Sequence, residues 1–184
     1  MKTGRVSAIT AAGVMAAGAL TVFAGTGTAS AAGPTNLCSD STTGFGTQCI
    51  DSEQGVGQWI ITLPHGTASL TNWNYPTGTS PAPIQQADNV NFCLQVDETG
   101  SESSPANFEV IGAKCVNDAA EEWLNHYDAT AKRTLFESVW ALDNVDETLC
   151  LTYGPGDNDP AGLFVVPCEF SGNTNYWYQQ WGTS

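Results

Sequence analysis

Apolar side chains along this chain come in short bursts separated by turn-forming clusters. Gln58-Trp59-Ile60-Ile61-Thr62-Leu63, Asn107-Phe108-Glu109-Val110-Ile111, Thr134-Leu135-Phe136-Glu137-Ser138-Val139-Trp140 and Leu163-Phe164-Val165-Val166 are rich in β-branched and aromatic residues. Several of them alternate apolar with polar, the period of a strand with one buried face. Pro76-Thr77-Gly78, Thr99-Gly100-Ser101 and Gly154-Pro155-Gly156-Asp157 punctuate them as turns. Only the window from Asp118 to Tyr127 reads as helix, with Asp118 placed to cap Ala119-Ala120-Glu121-Glu122. Many short strands with regular turn signals predict an all-β sandwich or barrel.

The pattern also repeats. Phe92-Cys93-Leu94-Gln95-Val96 is echoed by Leu149-Cys150-Leu151-Thr152-Tyr153, and each is followed by a second cysteine, Cys115 and Cys168. Each copy closes on tryptophan, in Glu121-Glu122-Trp123 and Gln179-Gln180-Trp181. A more worn copy comes first: Cys49-Ile50-Asp51 opens it and Thr71-Asn72-Trp73 closes it, with Cys38 just upstream and no second cysteine inside. One such unit cannot bury its apolar face alone, so the copies must share a core. The units run over about residues 36–75, 76–127 and 128–184.

At the N-terminus, Lys2 and Arg5 precede a small and apolar run from Ala8 to Ala24, and Ala29-Ser30-Ala31 follows. These are the three parts of a secretory signal peptide, with cleavage expected after Ala31. The rest, residues 32–184, contains no apolar run of about 18–20 residues, so no membrane span is expected. All six cysteines lie in the exported part, and an even count there reads as disulfides. No Cys-x-x-Cys occurs, and only His65 and His126 are available to a zinc shell, so no metal is expected. Of the 15 pairings six cysteines allow, the one that respects the repeat is Cys38–Cys49, Cys93–Cys115 and Cys150–Cys168.

Charge narrows the function further. Five Lys and Arg stand against nineteen Asp and Glu, a net charge of −14. Phosphate affinity needs clustered cations, so nucleic acid is excluded as a general partner, and so is electrostatic attachment to anionic lipid.

Cys-(Ile/Leu)-x, a second cysteine and a closing Gln-x-Trp, in triplicate, resemble the ricin-type β-trefoil lectins. These also occur as carbohydrate-binding modules of secreted bacterial glycosidases. The resemblance covers about residues 36–184. It implies one all-β domain, a β-trefoil of three pseudo-repeats stapled by disulfides, with Trp73, Trp123 and Trp181 as packing residues. It implies a secreted, extracellular protein that binds carbohydrate without catalysis or cofactor.

Sugar hydroxyls both donate and accept, while sugar C–H faces suit an aromatic ring. In the family an Asp two residues after the first cysteine accepts from sugar hydroxyls, an aromatic ring stacks, and an Asn or Gln near the closing motif completes the pocket. The first copy matches best, with Asp51, then Trp59 or His65, then Asn72. The middle copy has Gln95 at the acid position, with Asp97, Phe108, Asn117 and Glu121 nearby. The last has Thr152, with Tyr153, Asp157, Asp159, Phe164, Asn175 and Gln179.

Other clusters read more plainly. Asp157-Asn158-Asp159 and Asp143-Asn144-Val145-Asp146-Glu147 lack the spacing of a calcium loop and read as turns. Tyr176-Trp177-Tyr178 reads as packing around the closing motif. No Gly-x-Ser-x-Gly occurs and neither histidine has a triad context. The competing class is a secreted protein-interaction module or inhibitor that kept the scaffold and lost the sugar sites; a small glycosidase is a third and poorer option.

Overall fold

The structure, a computed structural model, describes residues 35–39, 47–52, 55–67, 72–99, 107–129, 133–154, 161–170 and 179–183. The expected signal peptide, the acidic turn at 157–159, and Asn175 with the neighbouring aromatic cluster lie outside them. The described chain is all-β apart from two short helical turns.

The first unit contributes β1 (Thr35–Ser39), β2 (Gln48–Asp51), β3 (Ile61–Pro64) and β4 (Asn72–Asn74). The second contributes β5 (Ala82–Pro83), β6 (Gln85–Gln86), β7 (Asn89–Val96), β8 (Phe108–Lys114) and β9 (Glu122–Asp128). The third contributes β10 (Arg133–Ser138), the helix α1 (Val139–Asn144), β11 (Leu149–Tyr153), β12 (Ala161–Pro167) and β13 (Trp181–Thr183). β5 and β6 act as one strand bent at Ile84.

First and last strands of the units close a ring. β1 pairs with β4 and β13, β13 with β10, β10 with β9, β9 with β5, and β6 returns to β4. Closure leaves this ring without an unpaired edge. The hairpins β2–β3, β7–β8 and β11–β12 knit to one another across one end, where β12 pairs with both β3 and β8. The Gly57 N–H reaches the Gly112 carbonyl at 2.7 Å in the same region.

Register makes the pseudo-threefold relation explicit. Trp73 lies opposite Thr35 and Gln86, Trp123 opposite Ala82 and Ser138, and Trp181 opposite Thr134 and Ser39. Each closing tryptophan therefore joins the first strand of its own unit to the first strand of another. All three are fully buried. Their indole N–H groups donate to the carbonyls of Ile50, Leu94 and Leu151, at 3.2, 3.3 and 2.9 Å. Each acceptor follows the cysteine on the first strand of its hairpin, Cys49, Cys93 or Cys150, so one hydrogen bond per unit ties the barrel to its hairpin.

Disulfides join Cys38 to Cys49, Cys93 to Cys115 and Cys150 to Cys168. Each closes a local loop and stabilises the fold by roughly 3 kcal/mol, largely through the unfolded chain. Cys115 and Cys168 share a backbone position: their N–H groups donate to the carbonyls of Asn91 and Thr148, both at 2.9 Å. In the first unit the matching bond runs from His65 to Thr47, also 2.9 Å. His65 thus occupies the place of the missing cysteine, and Cys49 instead pairs across the ladder with Cys38, Cα to Cα 4.0 Å.

Two local expectations change. The window 118–127 forms only a single 3-10 turn, Ala119–Glu121, before strand β9 begins. Asp118 does cap it, accepting from the Ala120 N–H at 3.1 Å. The chain then extends because β9 pairs with β10 from Trp123↔Ser138 to Asp128↔Arg133, and a full ladder outweighs local helix preference. The expected strand 134–140 ends at Ser138, whose hydroxyl accepts from the Ala141 N–H and starts α1. Trp140 is then drawn inward, its ring packing edge-on against Phe108 at 4.9 Å.

Trp181→Phe keeps an aromatic ring in the core but leaves the Leu151 carbonyl without its donor. It should destabilise the protein by about 1–3 kcal/mol, read by urea denaturation, and an unchanged midpoint would refute the lock. The double variant Cys38→Ser/His65→Cys should form a bridge between Cys49 and the thiol introduced at position 65, which peptide mapping under non-reducing conditions detects. Two free thiols would contradict the equivalence of that position with Cys115 and Cys168.

Candidate functional site

Asp51, Gln95 and Thr152 occupy one equivalent position, opposite Ile61, Ile111 and Phe164 in the three hairpins. The structure does not present it to solvent in the first and third. Asp51 is fully buried, and Thr152 is buried with its hydroxyl donating to the Cys150 carbonyl at 2.9 Å. Gln95 is half-buried. Trp59 is 56% exposed and bridges to Ile111, at the seam between the first and second hairpins. His65 is exposed in the turn after β3, and Asn72 is exposed opposite Asn36.

Other candidates have structural work. Tyr153 and Phe108 are buried in the core, Tyr153 lying edge-on to Trp181 at 6.3 Å, so neither is a platform. Asp97 folds its own turn, accepting from the Thr99 N–H at 2.9 Å and the Thr99 hydroxyl at 2.7 Å. Asn117 sits at φ 60°, a left-handed conformation that asparagine tolerates.

Gln179 is 1% exposed. Its Oε1 accepts from the Glu169 N–H, and its Nε2 donates to the Pro167 carbonyl, both at 2.9 Å. Glu121 does the matching work in the second unit. Its carboxylate accepts from the Val116 N–H and, at 3.0 Å, from the Asn117 N–H. The left-handed Asn117 supplies a second donor, so an acid replaces the amide there. In both units the first residue of the closing tripeptide clamps the backbone next to the second cysteine. Both ends of the Gln179 amide are thereby engaged with backbone.

Two hollows lie elsewhere, on either side of the β9–β10 hairpin. One, of about 710 Å³, opens at the barrel end away from the knitted hairpins; Leu37, Phe136 and Trp181 line its depth, and Tyr75, Asn125 and Arg133 are among the residues around it. Tyr75 packs edge-on against Phe136 at 5.7 Å, and burial pushes its phenol above the usual tyrosine range. The Asn125 amide donates to the Pro76 carbonyl at 2.6 Å. Gly182 makes room for Arg133: a Cβ there would collide with the guanidinium Nη1.

The other hollow, a side groove of about 440 Å³, is lined by His126, Tyr127, Asp128, Arg133, Glu169, Phe170 and Gln180, with Ala129 and Leu135. Tyr127 and Phe170 are 60% and 54% exposed. His126 meets Phe170 edge-on at 5.1 Å, and its Nε2 is hydrogen-bonded to the carboxylate of the mostly buried Glu137. Strand alternation separates the two hollows. Asn125 pairs with Phe136 on the barrel side, and His126 pairs with Leu135 on the groove side.

Neither hollow is foreseen from local motifs. A signal exists in the repeat carried past the closing tryptophan: Tyr75 and Asn125 stand two residues beyond Trp73 and Trp123, and Thr77 and Tyr127 four beyond.

No protein-family profile matches the chain, and no characterised protein matches it by sequence. Its fold is similar to solved structures. A designed 3-fold symmetric protein, ThreeFoil, aligns with a TM-score of 0.61 at 15% identity, over 82% of this chain and 97% of that one. A mosquitocidal holotoxin aligns at 0.59 and 12% identity, over 80% of this chain but 16% of that one. The Haemophilus ducreyi cytolethal distending toxin aligns at 0.54 and 14% identity, over 81% of this chain and 83% of that one. At such identities the likeness speaks of fold alone.

Gln179→Ala removes both halves of the clamp. It should cost about 1–3 kcal/mol of stability in urea denaturation while leaving ligand binding at native conditions unchanged. Lost binding by a fully folded variant would return Gln179 to the list of recognition residues.

Proposed function

We propose that the chain is a secreted, non-catalytic carbohydrate-binding protein on a ricin-type β-trefoil, and that the side groove is its exterior sugar-binding surface. The triple indole lock, the threefold register and the likeness to a designed threefold protein support the scaffold. Three disulfides support export; among the described residues, no helix is long and apolar enough to cross a membrane.

The observation that carries the ligand class is the groove itself. Two exposed aromatic rings, Tyr127 and Phe170, flank carboxylates, an amide and a guanidinium within one concave surface. Rings match the C–H faces of a sugar, and the polar groups match hydroxyls that donate and accept. Asp51, at the family acid position of the first unit, is buried and does not border this groove.

That burial favours a second reading, a protein-interaction module whose original sugar positions have closed. A glycan array on the mature domain separates the two. Wild type should give a defined signal, and Phe170→Ala should weaken it about tenfold, equivalent to about 1.4 kcal/mol. No glycan signal from folded wild-type protein, together with capture of one specific secreted protein, would select the second reading.

A further inference from the structure

We infer that the seam between the first and second hairpins carries a second site for a neutral sugar, a flat platform on which the Trp59 ring stacks against a pyranose and the Gln95 amide takes its hydroxyls. This rests on the carbohydrate reading above and adds to it a site that shares no residue with the side groove.

Trp59 stands opposite Ile111, and Ile111 stands opposite Gln95. Directly paired residues share a face, so the three side chains form one row across the outside of the sheet. Their neighbours along the chain, Ile60, Val110, Leu94 and Val96, are buried on the other face. Trp59 is 56% exposed, while Ile111 and Gln95 are half-buried. Backbone hydrogen bonds pin the ring on both sides: the Gly112 N–H donates to the Gln58 carbonyl at 2.9 Å, and the Ile60 N–H to the Val110 carbonyl at 3.2 Å. Gly112 permits this approach, since a Cβ there would lie 2.9 Å from the Gly55 carbonyl oxygen.

The scaffold does not require an indole at this place. Ile111, Phe164 and Ile61 are equivalent positions, and the residues facing them across the three seams are Trp59, Glu109 and Gly162. A position filled in turn by tryptophan, glutamate and glycine is not a packing position. The indole N–H of Trp59 has no hydrogen-bond partner among the described residues, unlike the three that lock the barrel.

The size of the row favours a sugar over a protein. Three residues on adjacent strands span about 10 Å, two strand spacings. That is well short of the roughly 800 Å² per partner that a stable protein interface buries. A pyranose suits it, with its C–H face on the indole and its hydroxyls on the Gln95 amide. That amide both donates and accepts, and it has no partner among the described residues. Charge disfavours acidic sugars: Glu109 stands two residues from Ile111 on the same face, and the chain carries a net −14.

The test is tryptophan fluorescence during titration with neutral cello-, xylo- and manno-tetraose. The tetraose that binds should shield an exposed indole from acrylamide. Trp59→Phe should remove that signal, because the three closing tryptophans are already buried. In calorimetry wild type should show two sites for the same tetraose. Trp59→Ala and Gln95→Leu should each weaken one of them about tenfold or more, whereas Phe170→Ala should weaken the other and leave the shielding of Trp59 unchanged. The urea midpoint of Trp59→Ala should match wild type, which separates lost binding from misfolding. If Trp59 stays open to acrylamide at saturating tetraose while Phe170-dependent binding persists, the seam site is overturned and the carbohydrate reading stands. Shielding that follows protein concentration instead of sugar also overturns it and marks a contact between two copies. Absence of binding by every tetraose and by the glycan array would instead overturn the carbohydrate reading itself.

Discussion

Three indole N–H groups, each hydrogen-bonded to the carbonyl of the residue after a hairpin cysteine (Cys49, Cys93 or Cys150), hold this molecule together. A buried tryptophan supplies a large apolar surface but must place its N–H on an acceptor. That requirement joins two things that otherwise have no reason to be coupled: a barrel strand and a hairpin of the same unit. Because each tryptophan also stands in register with a first strand of another unit, the same side chain fixes packing within and between the thirds.

Around this constant the units diverge, and the divergence is compensated locally. Cys38, Gln85 and Glu137 occupy one equivalent place, opposite Cys49, Cys93 and Cys150. In the first unit that place carries the covalent partner itself. In the second, Gln85 donates to the sulfur of Cys115 at 3.8 Å. In the third, the place bears Glu137, which meets His126 from the neighbouring strand. The staple has moved from one side of the hairpin to the other while the backbone bond at position 65 is unchanged. Gln179 and Glu121 show the same tolerance, an amide and an acid performing one clamp because the number of backbone N–H groups presented to them differs.

Scaffold and recognition surface are thus separable. Among the positions that a ricin-type resemblance marks for sugar, Asp51 and Thr152 are buried and Tyr153 is part of the core, whereas Trp59, His65 and Asn72 stay exposed. The concave, amphipathic surfaces lie instead on the two faces of the β9–β10 hairpin. The hairpin's alternating side chains give each face a different character without disturbing the ladder.

Sequence by itself determined the triplicate plan, because packing against a shared axis demands the same residue types at the same spacing: Cys-Ile/Leu at the start, tryptophan at the close. It determined the strand-rich class and the locality of the cysteine pairs for the same reason. It was misleading where ladders and caps compete, since Glu122–Asp128 is helix-prone only until β10 is beside it. Tertiary structure alone decided which polar residues face solvent. Exposure depends on what folds over a position, not on its neighbours in sequence, so Asp51 disappears from the surface while Tyr127 and Phe170, distant in the chain, come to border one groove.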